Sequence, residues 1–231
     1  MLIIKNGILH TMETEPIEHG CVIIQNGKIL ATGSMDILGN NLDAEIIDAE
    51  GGYILPGLID AHSHIGMWED GMGIEGADGN EATDPITPHL RAIDAINPFD
   101  RNFDEAIEAG ITTAVTGPGS ANVIGGQFAA IKLYGKKVDD MLIKSPVAIK
   151  AALGENPKAV YAGKNQAPTT RMATAALLRE YLLKAGEYRQ AMQEYIKDKK
   201  ENDKPDYNMK LEALLPVLNK QIPLKLSLIH I

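Results

Sequence analysis

The sequence has a single cysteine, Cys21. No disulfide can therefore close within the chain, and such usage fits a reducing compartment, so a cytoplasmic protein is expected. Long apolar runs are missing too. The opening MLIIKNGILH holds only a few apolar residues before Lys5, too short for a signal peptide or a membrane span. Cations are in the minority, with 22 Lys and Arg against 31 Asp and Glu for a net charge of −9. With no basic stripe, there is no electrostatic case for nucleic acid, and the acidity reads as solubility. The sequence shows no internal repeat and no low-complexity segment. What remains is ordinary globular composition, 45% apolar and 23% charged over 231 residues, enough for one large domain or two small ones.

Residues 1–54 read as short strands. Leu2–Ile4, Cys21–Ile24 and Lys28–Ala31 are apolar or β-branched, with turn pairs at Asn6-Gly7, Asn26-Gly27 and Gly51-Gly52. Asn-Gly between apolar runs predicts hairpins at Asn6-Gly7 or Asn26-Gly27. From Tyr53 the pattern becomes strand–helix alternation, which predicts a parallel sheet or barrel. Strands are expected at Ile54–Ala61, Ile111–Val115, Phe128–Leu133, Val147–Leu153 and Ile222–Leu226. Helices are expected at Phe99–Ala109, with Asn97 as cap and Pro98 in its first turn, at Thr170–Lys199 and at Lys210–Leu218. Gly186 marks a candidate break in the long helix and Pro216 a bend in the last one. The charged stretch Lys197–Lys204 reads as a solvated helix end.

The sharpest chemical signal is Pro56-Gly57-Leu58-Ile59-Asp60-Ala61-His62-Ser63-His64. Residues two apart in a strand point to one side, so His62 and His64 project together from the end of an apolar strand. Two imidazoles on one face can share a metal ion, and imidazole suits zinc and iron. A bare His-x-His is more often two surface histidines. Here the pair follows a strand in a chain with barrel signals, where ligands gather at C-terminal strand ends.

Those residues resemble the first barrel strand of the amidohydrolase superfamily. Lys5-Asn6-Gly7 and the stretch GCVIIQNGKILATG at 20–33 resemble its small β-domain, and AGITT at 109–113 its next strand. With TGPGSANVIGGQ at 116–127 and ALGENPK at 152–158, residues 1–225 are similar to the imidazolonepropionase-related branch. The resemblance implies an α/β fold: a partial (β/α)8 TIM barrel preceded by a small β-sandwich-like N-terminal domain. Residues 1–54 would form the N-terminal part of a composite β-domain and 55–225 an incomplete hydrolase barrel. It also implies one or two divalent ions, zinc first and iron second, that acidify water for attack on a C–N bond of a small cyclic amide or amide-like substrate. His62 and His64 would be the first two ligands. The general-base aspartate would lie in a C-terminal part beyond this sequence. An imidazolonepropionase, a dipeptidase-like hydrolase and a metal-free barrel used as an assembly or regulatory module are the alternatives. A homo-oligomer of the full-length protein is left open.

The resemblance also implies further ligands from strands four, five, six and eight, and two residues compete for the strand-four role. Lys150 lies among alanines on one face of its strand. It is either a carboxylated lysine bridging metals or a snorkelling, solvent-facing one. Glu155 follows the strand end beside Gly154, Asn156 and Pro157, and is either a direct ligand or a loop carboxylate capping backbone. The glycine-rich stretch 116–127 is expected to bring backbone near a ligand, with Asn122 and Gln127 orienting substrate. No Lys-Ser/Thr pair follows it, which excludes a phosphate cradle. Asp60 is expected to hold a neighbouring histidine or cap the strand end. His10, His19 and His89 are isolated and are not expected to bind metal. Asp78–Asp84 reads equally as a mobile active-site loop or a plain surface loop.

The last six residues, LSLIHI at 226–231, read as the translation of a transposon mosaic-end adapter used in sequencing libraries, which would make His230 an artefact. A barrel needs about 250 residues, and 56–225 supplies 170. The expectation is therefore a fragment, inactive as written.

Overall fold

In a computed structural model, residues 1–39 and 43–227 are described. Leu228–Ile231, including His230 and most of the hexapeptide, lie outside them. The chain divides into two compact units, Met1–Gly57 and Leu58–Ile231.

In the first unit β1 (Leu2–Leu9), β2 (Ile17–Gln25), β3 (Lys28–Ser34), β4 (Glu45–Asp48) and β5 (Tyr53–Ile54) form one five-stranded sheet among the described residues, in the order β3-β2-β1-β4, with β5 also on β1. Asn26 and Gly27, at φ 53° and 71°, turn β2 into antiparallel β3 with Gln25 opposite Lys28. Positive φ at both central residues is what a two-residue hairpin demands. The hairpin expected at Asn6-Gly7 is not formed. The pair lies inside β1, where register with β2 shifts between Ile4 and Gly7. There the neighbour of β1 changes from β4 to β5. Asn6 Nδ2 donates to Asp48 Oδ1 at 3.0 Å, and its carbonyl accepts from Gly51 N at 2.7 Å. The positive φ of Asn6 makes a bulge at this handover. Leu9, Val22 and Ile54 form the unit's core, whereas Ile29, Leu30, Ile46 and Ile47 are exposed.

The second unit holds β6 (Leu58–Ser63), α1 (Asn102–Glu108), β7 (Ile111–Thr116), β8 (Ile124–Lys132), α2 (Val138–Met141), β9 (Leu142–Ala152), α3 (Glu155–Ala162), α4 (Arg171–Lys197), α5 (Met209–Leu218) and β10 (Leu224–Ser227). Its strands form a half-barrel sheet in the order β10-β9-β8-β7-β6. β6 with β7, and β9 with β10, run parallel, but β8 is antiparallel to both its neighbours. The expectation of uniform parallel strands is corrected here. Residues 117–123 carry no helix between β7 and β8, and a connection without a crossover returns the chain antiparallel.

Local side chains also move expected helix boundaries. Asn97 Oδ1 accepts from Phe99 N and Asp100 Oδ1 from Asn102 N. These two turns occupy the first expected helical residues, so α1 begins at Asn102 rather than Phe99. Thr170 Oγ1 accepts from Ala173 N at 3.1 Å and caps α4. Gly186 does not interrupt α4. One core cluster gathers Phe103, Ala114, Ala129, Ile131 and Met141, and another Val123, Ile124, Ile149, Ala185 and Leu214.

Candidate metal centre

β6 ends at Ser63, which places His62 on the strand and His64 one residue beyond it. Asp60 Oδ1 accepts from the His62 backbone N–H at 2.9 Å and fixes this strand end. The two imidazoles stand edge to face with centroids 5.4 Å apart. Both also lie against one ring, Phe128 of β8, at 5.5 and 6.5 Å. Phe128 is fully buried. A Cβ on Gly117 would come within 2.4 Å of that ring, so the missing side chain at Gly117 is what lets the ring lie under the histidines.

The Gly117 carbonyl has a second role. It accepts from His64 Nδ1 at 2.6 Å. With the Nδ1 proton committed to a carbonyl, the neutral ring leaves the Nε2 lone pair free, which is how metal-ligating histidines are held. Burial lowers the proton affinity of His64, and Lys150 and Lys225 add to that, against the raising effect of the Gly117 bond. His62 is pushed down to about 4, first by burial and then by the same two ammonium groups. At neutral pH both rings are unprotonated and able to donate lone pairs.

Lys150 of β9 supplies the third group. It is 1% exposed, and its Nζ lies 3.5 Å from His62 Nε2. Gly125 on β8 makes room for its stem, since a Cβ there would sit 3.2 Å from Lys150 Cβ and Cγ. Burial, reinforced by Lys225, pushes the Lys150 amine down to about 8. Lys225 of β10 stands opposite Lys150 in register. It donates to the Ala61 carbonyl and lies 4.8 Å from the Phe128 centroid.

Other expected site residues fall elsewhere. Glu155 is exposed in the first turn of α3 and shares a small depression with Ser120, Asn156 and Ser227. Asn122 is buried, donates to Thr87 Oγ1 at 2.7 Å and accepts from Tyr161 OH at 2.6 Å, so its amide ties its own segment to the Thr87 segment and to α3. Gln127 donates to the Pro88 carbonyl at 3.3 Å and borders a 550 Å³ cleft with His89, Arg91 and Tyr207. His62 and His64 are not among the residues lining that cleft. The glycines of 116–127 make room for protein groups, Gly117 for Phe128, Gly119 for Asn80 and Gly125 for Lys150.

Sequence reasoning passed over Phe128, Lys225 and Trp68. Phe128 carries no periodic signal, and Lys225 becomes relevant only through the register of β10 on β9. Among the described residues no three His, Cys, Asp or Glu side chains come close enough to hold a metal ion. The donor set is therefore two neutral imidazoles beside one lysine. The imidazoles fit an ion, while the lysine fits one only as a free amine or a carbamate.

No family model matches the chain. It is 38% identical over 142 residues to an amidohydrolase, tasK, of Hapsidospora irregularis, covering 56% of this chain and 14% of that protein. It is 33% identical over 159 residues to an adenine deaminase of Listeria monocytogenes, covering 67% of this chain and 22% of that one. A crystal structure of an amidohydrolase from Thermotoga maritima superposes with a TM-score of 0.87 at 38% identity, over 98% of this chain and 57% of that chain. The chain thus spans less than a quarter of these curated relatives and just over half of the solved structure. The names of these relatives and a superposition over nearly the whole chain support the amidohydrolase superfamily as the family of this protein.

Proposed function

We propose that this chain forms the first half of the active site of a metal-dependent amidohydrolase, in which His62 and His64 bind a divalent ion. The observation that carries the reading is the His62–His64 pair seated on Phe128, with Lys150 Nζ 3.5 Å from His62 Nε2. A bound ion, zinc or iron by its imidazole donors, would acidify a water molecule for attack on a carbon bearing a C–N bond. Gly117 holds the His64 tautomer, Asp60 fixes the strand end under His62, and Phe128 gives both rings a dry floor. Lys150 is close enough to contribute as a carbamate, which would place a negative charge beside the ion. It is a better third ligand on geometry than Glu155. The substrate class is a small molecule with a cyclic amide or an amide-like bond, and the deaminase among the relatives extends that class to amidine-type carbons. An imidazolonepropionase-related enzyme of the cytoplasm fits this reading, with the general-base aspartate supplied from outside residues 1–231.

A second reading has one observation in its favour. The two ammonium groups beside His62, Lys150 and Lys225, act on its ring more strongly than the Asp60 carboxylate does, which suits a metal-free module. Metal analysis of the full-length protein separates the two. The metal reading expects at least one equivalent of zinc or iron, lost on His62→Ala or His64→Ala. Metal-free protein, or content unchanged in both variants, would reject it.

A further inference from the structure

The chain contains one tryptophan, Trp68, and its ring stands edge to face with His64 at a centroid distance of 5.3 Å and an interplanar angle of 80°. The backbone brings it there through a closed loop. Met67 N donates to the His64 carbonyl, Asp78 N to the Met67 carbonyl, and Trp68 pairs with Ala77 across the loop. Gly79 completes the seat. A Cβ at that position would fall 1.9 Å from Trp68 Cη2, so only glycine leaves space for the indole. Gly79 and Asn80 are in turn tethered to the segment after β7. The Gly79 carbonyl accepts from Gly119 N at 2.9 Å, and Asn80 Oδ1 from Ala121 N at 3.2 Å. That segment begins with Gly117, whose carbonyl accepts from His64 Nδ1. The contacts form a circuit around one imidazole: His64, Trp68, Gly79, Gly119, Gly117 and back to His64.

We infer that Trp68 is a positioning residue for His64, its indole, seated on Gly79, holding the imidazole in the orientation that presents Nε2 to a cation. The hydrogen bond to Gly117 fixes one point of the ring and its tautomer. The indole packs edge to face against the same ring and limits how far it can tilt away from that bond. This inference rests on the metal reading of the His62–His64 pair. A ligand whose neighbours fix its orientation needs no ordering on binding, so disrupting such neighbours typically weakens metal affinity about 10–100-fold. The same proximity makes Trp68 a reporter, because the chain's only indole stands beside the ring that would bind the ion.

Cobalt(II) tests this without reference to activity. Its visible absorption reports binding and coordination geometry, and it quenches nearby indole fluorescence. In the full chain, cobalt is expected to quench Trp68 emission with the same midpoint as the absorption change. Trp68→Ala should weaken cobalt binding about tenfold and alter the visible band, with far-UV circular dichroism unchanged. Trp68→Phe, which keeps an aromatic edge, should restore affinity to within about threefold. Gly79→Ala, which displaces the indole without removing it, should reproduce the loss and reduce the quenching. Cobalt bound by wild type with unchanged affinity and spectrum in Trp68→Ala would overturn the positioning role alone. Absence of any cobalt binding by wild type would overturn the metal reading and this inference together.

Discussion

Lys150→Met should make the protein more stable at neutral pH while removing a group the proposed site needs. Lys150 is 1% exposed and has no ion pair among the described residues. Burial and then Lys225 push its amine from an ordinary 10.5 down to about 8. At about 1.4 kcal/mol per tenfold change in proton affinity, that fall corresponds to about 3 kcal/mol of unfavourable charge burial. The folded affinity for the proton is depressed, so between pH 8 and 10.5 the unfolded state binds more protons and stability rises with pH. Below pH 8 both states carry the charge and the folded state bears the full cost. Methionine fills a similar volume with no charge and forgoes a long cation–π contact, 5.8 Å to the Phe128 centroid, worth about 0.5–1 kcal/mol. The expected net gain is about 2 kcal/mol at pH 7, shrinking towards zero by pH 10.5. Urea unfolding of wild type and variant at both pH values measures it. A variant less stable than wild type at pH 7, or a gain equal at both pH values, would refute the argument. Retention of a group that destabilises the fold is expected at sites where function needs it.

Four further outcomes follow from the structure. Phe128→Ala removes a fully buried ring and should cost about 3–5 kcal/mol, measurable by denaturant unfolding; a loss under 1 kcal/mol would show that Phe128 is not the floor of the site. Because His62 is pushed down to about 4, it stays unprotonated where an ordinary imidazole near 6.5 would be charged. Cobalt affinity should therefore fall less than about tenfold from pH 7 to 5.5, and a fall near a hundredfold, as for two ordinary imidazoles, would contradict this. The same depression means that the unfolded state binds more protons between pH 6.5 and 4, so stability should decrease as pH drops through that window. Thr170→Ala deletes the cap of α4 and should lower stability by about 1 kcal/mol, with thermal unfolding as the check.

The paired histidines were legible in the sequence because a strand's two-residue repeat is local. Once Leu58–Ser63 is extended, His62 and the next alternate position share a side whatever else the chain does. The Asn26-Gly27 hairpin was legible for the same reason, since two residues at positive φ dictate the turn. Asn6-Gly7 carries the same signal and became a bulge because the partner of β1 changes there from β4 to β5, a fact held by residues about forty positions away. The antiparallel course of β8 depended on where a short loop could land. Lys150 was separated from Glu155 only by tertiary placement: Gly125 on the neighbouring strand makes room for the lysine stem, while α3 begins at Glu155 and leaves it at the surface. Phe128, Lys225 and Trp68 reach the histidines from three different segments, by sheet register in two cases and by a loop closed on Gly79 in the third. Local backbone preference thus determined the strand that carries the histidine pair, and long-range packing decided what surrounds it.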